Sequence, residues 1–191
     1  MISAITRAIG TAALLVAASA SAAGAQRRLS QQEALRLAFP RATTIERRTA
    51  FLTDEDLARA SELAGDGVSV TRRIVTYYVG LSDDGPVGVA YFDAHRVRTL
   101  NEVLMIVVAP NEEIERIEIL MFAEPPEYRA PPDWLEQLED QPLTSRLSLK
   151  GSVINLTGAT LTARAAVRAA RRVLALHRVI RALEEWEGNE P

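Results

Sequence analysis

Cysteine is absent from this 191-residue chain, and histidine is nearly absent. Without cysteine there are no disulfides, no thiolate metal sites, no iron–sulfur clusters and no lipid attached through an N-terminal cysteine. The two histidines, His95 and His177, have no second histidine at metal-binding spacing. We therefore expect no metal site. His177 should be a structural residue beside the apolar stripe of a helix, and His95 should lie in a loop or at the end of a strand.

The short motifs of several common active sites are also missing. No GxGxxG fingerprint supports direct oxidation of a nicotinamide, and no nucleophile elbow supports Ser–His–Asp catalysis. The acidic residues are scattered, without a paired-carboxylate motif. Because the formal net charge is -3 and no long Lys/Arg tract is present, we expect no nucleic-acid partner.

The first 25 residues have the pattern of a signal peptide. Arg7 is the only charged residue before Arg27, the segment between them is short and alanine-rich, and Ala-Gly-Ala at 23–25 fits a cleavage site. A retained membrane anchor is the competing interpretation. We expect a mature chain that begins at Gln26, carries a net charge of -4 and resides in the periplasm or another extracytoplasmic space. Its residues 26–191 are enough for a single domain with its own core.

Hydrophobic periodicity predicts an α+β fold, with an antiparallel β meander packed against helices and a long C-terminal helix. Capping boxes at Ser30 and Thr53 predict two short helices. A proline-rich loop is expected over 123–134, followed by a short helix. The C-terminal helix is predicted from near Ala159 to about Trp186. Runs rich in β-branched residues or alternating in polarity predict extended segments at 42–52, 68–81, 87–94, 101–109, 114–122 and 143–154.

Small and hydroxylated residues crowd the start of the C-terminal helix, in the segment 157–162, TGATLT. The first turn of a helix has backbone N–H groups without intrahelical partners, and the helix dipole adds partial positive charge there. Such a position stabilises a phosphate. Taken alone, the segment fits an ordinary helix start better than a phosphate site.

The longer segment TGATLTARAAVRAARRVL resembles the flavinylation segment of the FMN-binding domain family, which includes the periplasmic RnfG and NqrC subunits of ion-motive redox complexes. The loop ILMFAEPPEYRAPPDWLEQL resembles a second family feature, a strand followed by a loop and a helix with tryptophan. The resemblance covers roughly residues 75–180. It implies FMN joined through a phosphoester to Thr160 by a flavin transferase. It further implies cofactor contacts from Thr157, Gly158, Ala159, Leu161, Thr162 and Glu124.

The function that this resemblance implies is electron transfer by an exported flavoprotein, with a membrane-bound or exported redox protein as its partner. One alternative is a non-catalytic exported binding module that kept the fold and lost the flavin. Two departures favour it: Ile154 stands where the family usually has Asp, and Pro125 replaces a threonine. Another alternative is an enzyme that reduces a small substrate on its flavin.

A group of arginines lies on the predicted C-terminal helix of this otherwise acidic protein. One interpretation is a solvated helix face. The alternatives are a docking surface for an acidic redox partner, or local compensation of an FMN phosphate by Arg164. The group comprises Arg164, Arg168, Arg171, Arg172, Arg178 and Arg181.

Overall fold

A computed structural model describes residues 29–187 of the chain, with side chains as far as Glu184. The predicted signal peptide and Gln26 lie outside the described residues. The elements are, in chain order, α1 (Gln31–Ala38), β1 (Thr44–Phe51), α2 (Asp54–Ala64), β2 (Ile74–Ser82), β3 (Gly85–Arg96), β4 (Asn101–Val108), β5 (Ile114–Phe122), α3 (Pro132–Leu135) and α4 (Thr160–Glu187).

Five antiparallel strands form one sheet in the order β1-β2-β3-β4-β5, so each strand pairs with its neighbours in sequence. This is the predicted meander, and the α+β class is confirmed. Short turns join β2 through β5, because neighbouring antiparallel strands need no crossover, whereas α2 lies between β1 and β2. Strand β3 pairs with β2 only as far as Tyr91, opposite Tyr77, and then continues to Arg96 against β4 alone.

Both predicted capping boxes are present. The Ser30 hydroxyl accepts the backbone N–H of Glu33, whose carboxylate in turn accepts the Ser30 N–H. Thr53 and Asp56 make the same reciprocal pair at the start of α2. Each box satisfies backbone donors that the first helical turn leaves without partners, which fixes where the helix begins.

The sheet separates two cores. Alternate residues of β4 belong to different apolar clusters: Leu104, Ile106 and Val108 pack with α2 and α4, whereas Met105 and Val107 pack with α1. Helix α4 therefore lies on one face of the sheet and α1 on the other, because successive strand residues point to opposite faces. The predicted apolar stripe of α4 is buried, except that its last residue is only partly buried. The stripe consists of Ala166, Ala169, Val173, Leu176, Ile180 and Leu183. Small alanines in the stripe allow α4 to approach its neighbours closely.

The prediction of an extended segment at 143–154 is wrong, because the chain there forms consecutive turns. The Arg146 carbonyl accepts N–H groups from Ser148 and Ser152, which curls the backbone back on itself. Gly151 permits this close approach, since a Cβ there would lie 2.1 Å from the Arg146 oxygen. The apolar residues that suggested a strand, including Leu147 and Val153, are instead buried against other elements.

Candidate functional site

The segment TGATLT forms a turn and the start of α4. The Leu156 carbonyl accepts the Ala159 N–H at 3.2 Å, and the Ala159 carbonyl then accepts the Ala163 N–H at 3.0 Å. Between them, Gly158 has a φ of 84°, a conformation that residues with a Cβ rarely adopt. A Cβ at Gly158 would meet nothing within 4 Å, so the backbone before the helix faces open space.

Thr160 is the first residue of α4, and its hydroxyl is only weakly held. Its Oγ1 lies 3.5 Å from the Leu156 carbonyl oxygen and 3.4 Å from Nδ2 of Asn155. Both distances exceed the usual range for hydrogen bonds of a hydroxyl or amide. The side chain is half-buried. The hydroxyl is therefore positioned at the helix start without a strong bond that would have to break before it reacts.

The other predicted cofactor contacts of this segment differ in exposure. Thr157, Gly158 and Leu161 are exposed, whereas Ala159 is buried. Thr162 is buried as well, and its hydroxyl donates a 2.6 Å hydrogen bond to the carbonyl of Tyr128. The structure thus gives Thr162 an anchoring contact, and a role toward a cofactor remains a prediction.

The proline-rich loop and the residues after it pack against the start of α4 and the turn before it. Besides the bond from Thr162, Trp134 Nε1 donates to the Ile154 carbonyl at 2.8 Å, and Gln137 Oε1 accepts the Ile154 N–H at 2.9 Å. Trp134 is buried, while the Ile154 side chain is 75% exposed. The turn that precedes TGATLT is therefore held by hydrogen bonds to the backbone of residue 154. These bonds do not depend on which side chain residue 154 carries.

Glu124 holds the turn between β3 and β4. Its Oε1 accepts the backbone N–H groups of Arg98, Thr99 and Leu100 at 3.1, 2.6 and 2.7 Å. These bonds, led by that from Leu100, lower the pKa of Glu124. The Arg98 guanidinium lies over the Tyr128 ring, 4.6 Å from its centroid. Glu124 is consequently a structural anchor, and its predicted contact with a flavin ring stays a prediction.

A cavity lined by cations adjoins the first turns of α4. Its volume is about 280 Å³, and no acidic residue is among the described residues that line it. Leu161, Arg164 and Arg168 contribute one wall from α4, and His95 and Arg96 contribute from β3. Arg164 and Arg168 are exposed. Within residues 29–184 neither of them forms an ion pair. This cavity, which we call the cationic cavity, favours an anion near the helix start.

Beneath the cationic cavity lies a buried charge cluster. His95 bridges two carboxylates, with Nδ1 2.8 Å from Asp93 Oδ1 and Nε2 3.0 Å from Glu102 Oε2. Arg172 makes two bonds of 2.7 Å to Asp93. Glu102 is fully buried, and its Oε1 has no hydrogen-bond partner among the described residues. We call these four residues the His95 cluster.

Pairing sets the charges of the His95 cluster. Burial disfavours a charged imidazole, but hydrogen bonds to Asp93 and Glu102 outweigh it and raise the pKa of His95 to about 9. Burial also opposes the Asp93 charge, yet bonds from Arg172 and His95 lower the pKa of Asp93 to about 2. His95 is therefore cationic at neutral pH. His95 lies near the end of β3, as expected. The expectation did not include the cluster, although the hairpin register places Glu102 opposite His95.

The arginine group of α4 is not one solvated or docking face. Arg171 donates to the carbonyls of Ala64, Thr144 and Leu147, and Arg172 binds Asp93. Arg178 and Arg181 both contact Glu112. Four of the six arginines thus have partners within the protein. Arg164 and Arg168, beside the helix start, remain exposed.

The chain matches no protein-family model and no curated protein with which it was compared. Among the described residues, no helix combines the length and apolar character needed to cross a bilayer.

Because the comparisons identify no relative, the fit of the residues to a tethered FMN depends on the site itself. A weakly bonded hydroxyl, a helix start, open backbone at Gly158 and a neighbouring cationic cavity fit a phosphoester at Thr160.

Proposed function

We propose that this protein is an exported electron carrier whose FMN is linked through a phosphoester to Thr160. The observation that carries the proposal is the environment of the Thr160 hydroxyl. It occupies the first residue of a 28-residue helix and has no hydrogen bond shorter than 3.4 Å among the described residues. It borders open space at Gly158 and lies next to the cationic cavity. The resemblance of TGATLT to flavinylation segments identifies the same threonine.

The chain's own residues would hold the phosphate. The N–H groups of the first helical turn lack intrahelical acceptors, so they are available to phosphate oxygens. Arg164 is one helical turn from Thr160, about 6 Å along the axis, and supplies a neighbouring positive charge. Bound FMN would supply the redox chemistry, while the protein orients it and sets its electrostatic surroundings.

A covalent link suits an exported protein. Outside the cytoplasm a dissociable cofactor is diluted into a large volume, and mass action removes it from the protein. The proposal requires a flavin transferase for maturation, and a membrane-bound or exported redox protein as donor or acceptor. Direct exchange with a nicotinamide is not part of it, because the sequence has no dinucleotide-binding fingerprint.

A binding module without flavin is the second candidate function, and the position of Ile154 favours it. The Ile154 side chain is 75% exposed just before TGATLT, at the position where the family usually has Asp. Such a position is accessible to a modifying enzyme, so the change from Asp to Ile would affect recognition rather than folding. Pro125 likewise offers no hydroxyl beside Glu124.

Mass spectrometry of protein made with an active flavin transferase tests the proposal. We expect the wild type to gain the mass of FMN less one water, on the tryptic peptide Gly151–Arg164. Thr160→Ala should abolish the adduct, because it removes the only atom that carries it. Thr157→Ala is the matched control: this threonine is exposed in the same segment and should keep the adduct.

Two outcomes would decide against the covalent flavin. An unmodified Gly151–Arg164 peptide in protein from the native host would favour the flavin-free module. An adduct that persists in Thr160→Ala would show that a different residue is modified. Circular dichroism should show that Thr160→Ala stays folded, because its hydroxyl makes only long contacts and even the loss of a bonded N-cap side chain costs about 1 kcal/mol.

A further inference from the structure

The sheet ends in two edge strands, and within the described part of the chain only the outer edge of β5 is covered. The Ile114 N–H donates to the Gln141 carbonyl, and the Ile114 carbonyl accepts the Asp140 N–H. The Ile117 N–H donates to a carboxylate oxygen of Glu139 at 3.3 Å. Because these bonds occupy backbone groups that point out of the sheet, β5 offers few groups with which a further strand could pair.

Strand β1, at the other end of the sheet, is regular along its whole length. Its eight pairs with β2 run without a change of register, so no bulge twists the strand away from a partner. It contains no proline and no glycine. Bulges and prolines are among the devices by which proteins protect edge strands, and charged side chains are another. The protection that β1 retains is the charge of its middle residues, Glu46, Arg47 and Arg48.

The ladder to β2 determines which backbone groups of β1 face outward. The Leu52 N–H donates to the Arg73 carbonyl across that ladder. Because backbone direction alternates along an antiparallel strand, the even-numbered residues of β1 face β2, and the odd-numbered residues face away from it. The outward-facing residues are Ile45, Arg47, Thr49 and Phe51. Among the described residues, no group bonds to their outward N–H or carbonyl groups.

Two copies of β1 can pair antiparallel only in registers that place outward-facing residues opposite each other, because those residues carry the free backbone groups. The register centred on Arg47 meets this condition. It places Glu46 opposite Arg48 of the second copy, and Arg48 opposite the second Glu46. Registers centred on Glu46 or on Arg48 place two like charges opposite each other instead, which is destabilising. Among the registers that keep most of the strand in the overlap, charge therefore selects the one centred on Arg47.

The side chains that flank this axis fit the same register. Within one copy, Arg48 contacts Glu46 at 2.8 Å, so pairing would join two such contacts into an alternating group of four charges. Ile45 would lie opposite Thr49, and such pairs of β-branched residues are favoured in sheets. Only Arg47 would meet its own copy. It is exposed, with no ion pair among the described residues.

We propose that β1 pairs with β1 of a second copy of this chain, antiparallel and in the register centred on Arg47. Two five-stranded sheets would then continue as one sheet across a twofold axis, the commonest symmetry of protein dimers. A second copy is the occupant because β1 is complementary to itself in backbone groups and in charge. The proposal goes beyond electron transfer and does not depend on flavin at Thr160, because no residue of β1 lines the cationic cavity.

The like charges at position 47 give a test that is specific to this register. Each homodimer, of the wild type or of Arg47→Glu, places two identical charges at the axis, whereas a heterodimer of the two places opposite charges there. We expect the heterodimer to form about tenfold more tightly than the wild-type homodimer at low salt, because opposite charges across strands stabilise and like charges destabilise. Sedimentation equilibrium over a concentration series gives the affinities, and native mass spectrometry separates the three dimers by mass.

Substitutions at Thr49 test the backbone pairing itself. Thr49→Pro removes an outward N–H and leaves the bonds to β2 in place, a change that edge strands tolerate. It should make the protein monomeric. Thr49→Val is the matched control, because it keeps both the N–H and a β-branched side chain, and it should keep the dimer. Circular dichroism should show that both variants are folded.

Three outcomes would overturn the proposal. One is a wild type that stays monomeric over the whole concentration series, which would leave the edge of β1 to a different extended segment. Another is dimerisation that is as strong in Thr49→Pro as in the wild type. The third is a mixture of the wild type and Arg47→Glu in which heterodimers are no more abundant than random association predicts.

Discussion

Three threonines of one short segment have three different environments. Thr157 is exposed in the turn, Thr160 begins α4 with a weakly held hydroxyl, and Thr162 is buried with its hydroxyl bonded to Tyr128. A hydroxyl that is exposed on a turn lacks a fixed position, and one that is buried cannot reach a modifying enzyme. Thr160 combines a fixed backbone with an available oxygen, which is what selective esterification of one residue requires.

In the His95 cluster, the pKa values of single residues are shifted by their neighbours. Its four groups lie between β3, β4 and α4, and two of them line the cationic cavity. Removing one partner from a buried charge network leaves the others uncompensated, which is more costly than losing a surface ion pair. The cluster therefore links the stability of the sheet to the charge of the cavity.

His95 should make stability fall with rising pH. Its pKa is raised from 6.5 to about 9 in the folded protein, so its contribution is complete below pH 6.5 and is lost as the pH rises through about 9. The full shift corresponds to about 3 kcal/mol. Urea unfolding of the wild type between pH 6 and pH 9 should show this loss. His95→Gln should be less stable at pH 6 and nearly independent of pH over the same interval. A variant with the wild-type slope would contradict the assignment.

At the scale of elements, the features that could be predicted are those that the local sequence encodes. The boxes at Ser30 and Thr53 need only three-residue spacing, and the meander needs only strands joined by short turns. The turns at 143–154 could not be predicted, because the apolar residues Leu147 and Val153 are buried against elements that are distant in the sequence. For the same reason the pairing of Asp93 with a helix residue 79 positions away left no local signal.

Arg171 shows how α4 fastens the irregular parts of the chain. Its guanidinium donates to the Ala64 carbonyl at the end of α2, and to the carbonyls of Thr144 and Leu147 in the turns. Two carbonyls of the segment predicted as a strand are thus bonded by a helix side chain rather than by a neighbouring strand. The carbonyls at helix ends and in turns need such partners, because regular structure supplies no N–H donor for them.

Arg171→Ala should destabilise the protein by about 3 kcal/mol, because it leaves carbonyls that had bonded to a charged donor without that partner. Arg164→Ala, on the same helix but exposed and unpaired among the described residues, should change stability by less than about 0.5 kcal/mol. Urea unfolding at pH 7 gives both values. Equal effects of the two substitutions would mean that the Arg171 contacts contribute little. A charge reversal at Arg171 or Arg172 would consequently disturb folding and could not test docking.

At the scale of the whole molecule, the first prediction concerns the N-terminus, which lies outside the described residues. Arg7, the alanine-rich segment and Ala-Gly-Ala at 23–25 predict export and cleavage before Gln26. N-terminal sequencing of the protein recovered from its host should therefore begin at or near Gln26. An intact Met1 on membrane-bound protein would identify the segment as a retained anchor instead, and an intact Met1 on cytoplasmic protein would contradict export.

The distribution of charge gives the last prediction. The predicted mature chain has a net charge of -4, yet the described residues that line the cationic cavity include Arg96, Arg164 and Arg168 and no acid. A redox partner that approaches the start of α4 meets this local field, because charges beyond about 10 Å are largely screened at 0.1 M salt. Anionic partners should therefore react faster at low salt than at high salt, although the net charge of the protein is negative.

Stopped-flow oxidation of FMN-loaded, reduced protein tests this with two simple acceptors. The rate with ferricyanide, an anion, should fall several-fold between about 0.01 M and 0.15 M salt, as the Debye length shrinks from about 30 Å to about 8 Å. The rate with hexaammineruthenium(III), a cation, should rise over the same range. Arg164→Gln with Arg168→Gln should flatten both dependences. Arg36→Gln with Arg47→Gln is the matched control, since these exposed arginines lie on α1 and β1. If the control pair had the same effect as the α4 pair, net charge rather than the cationic cavity would guide the partner, and docking at the start of α4 would be rejected.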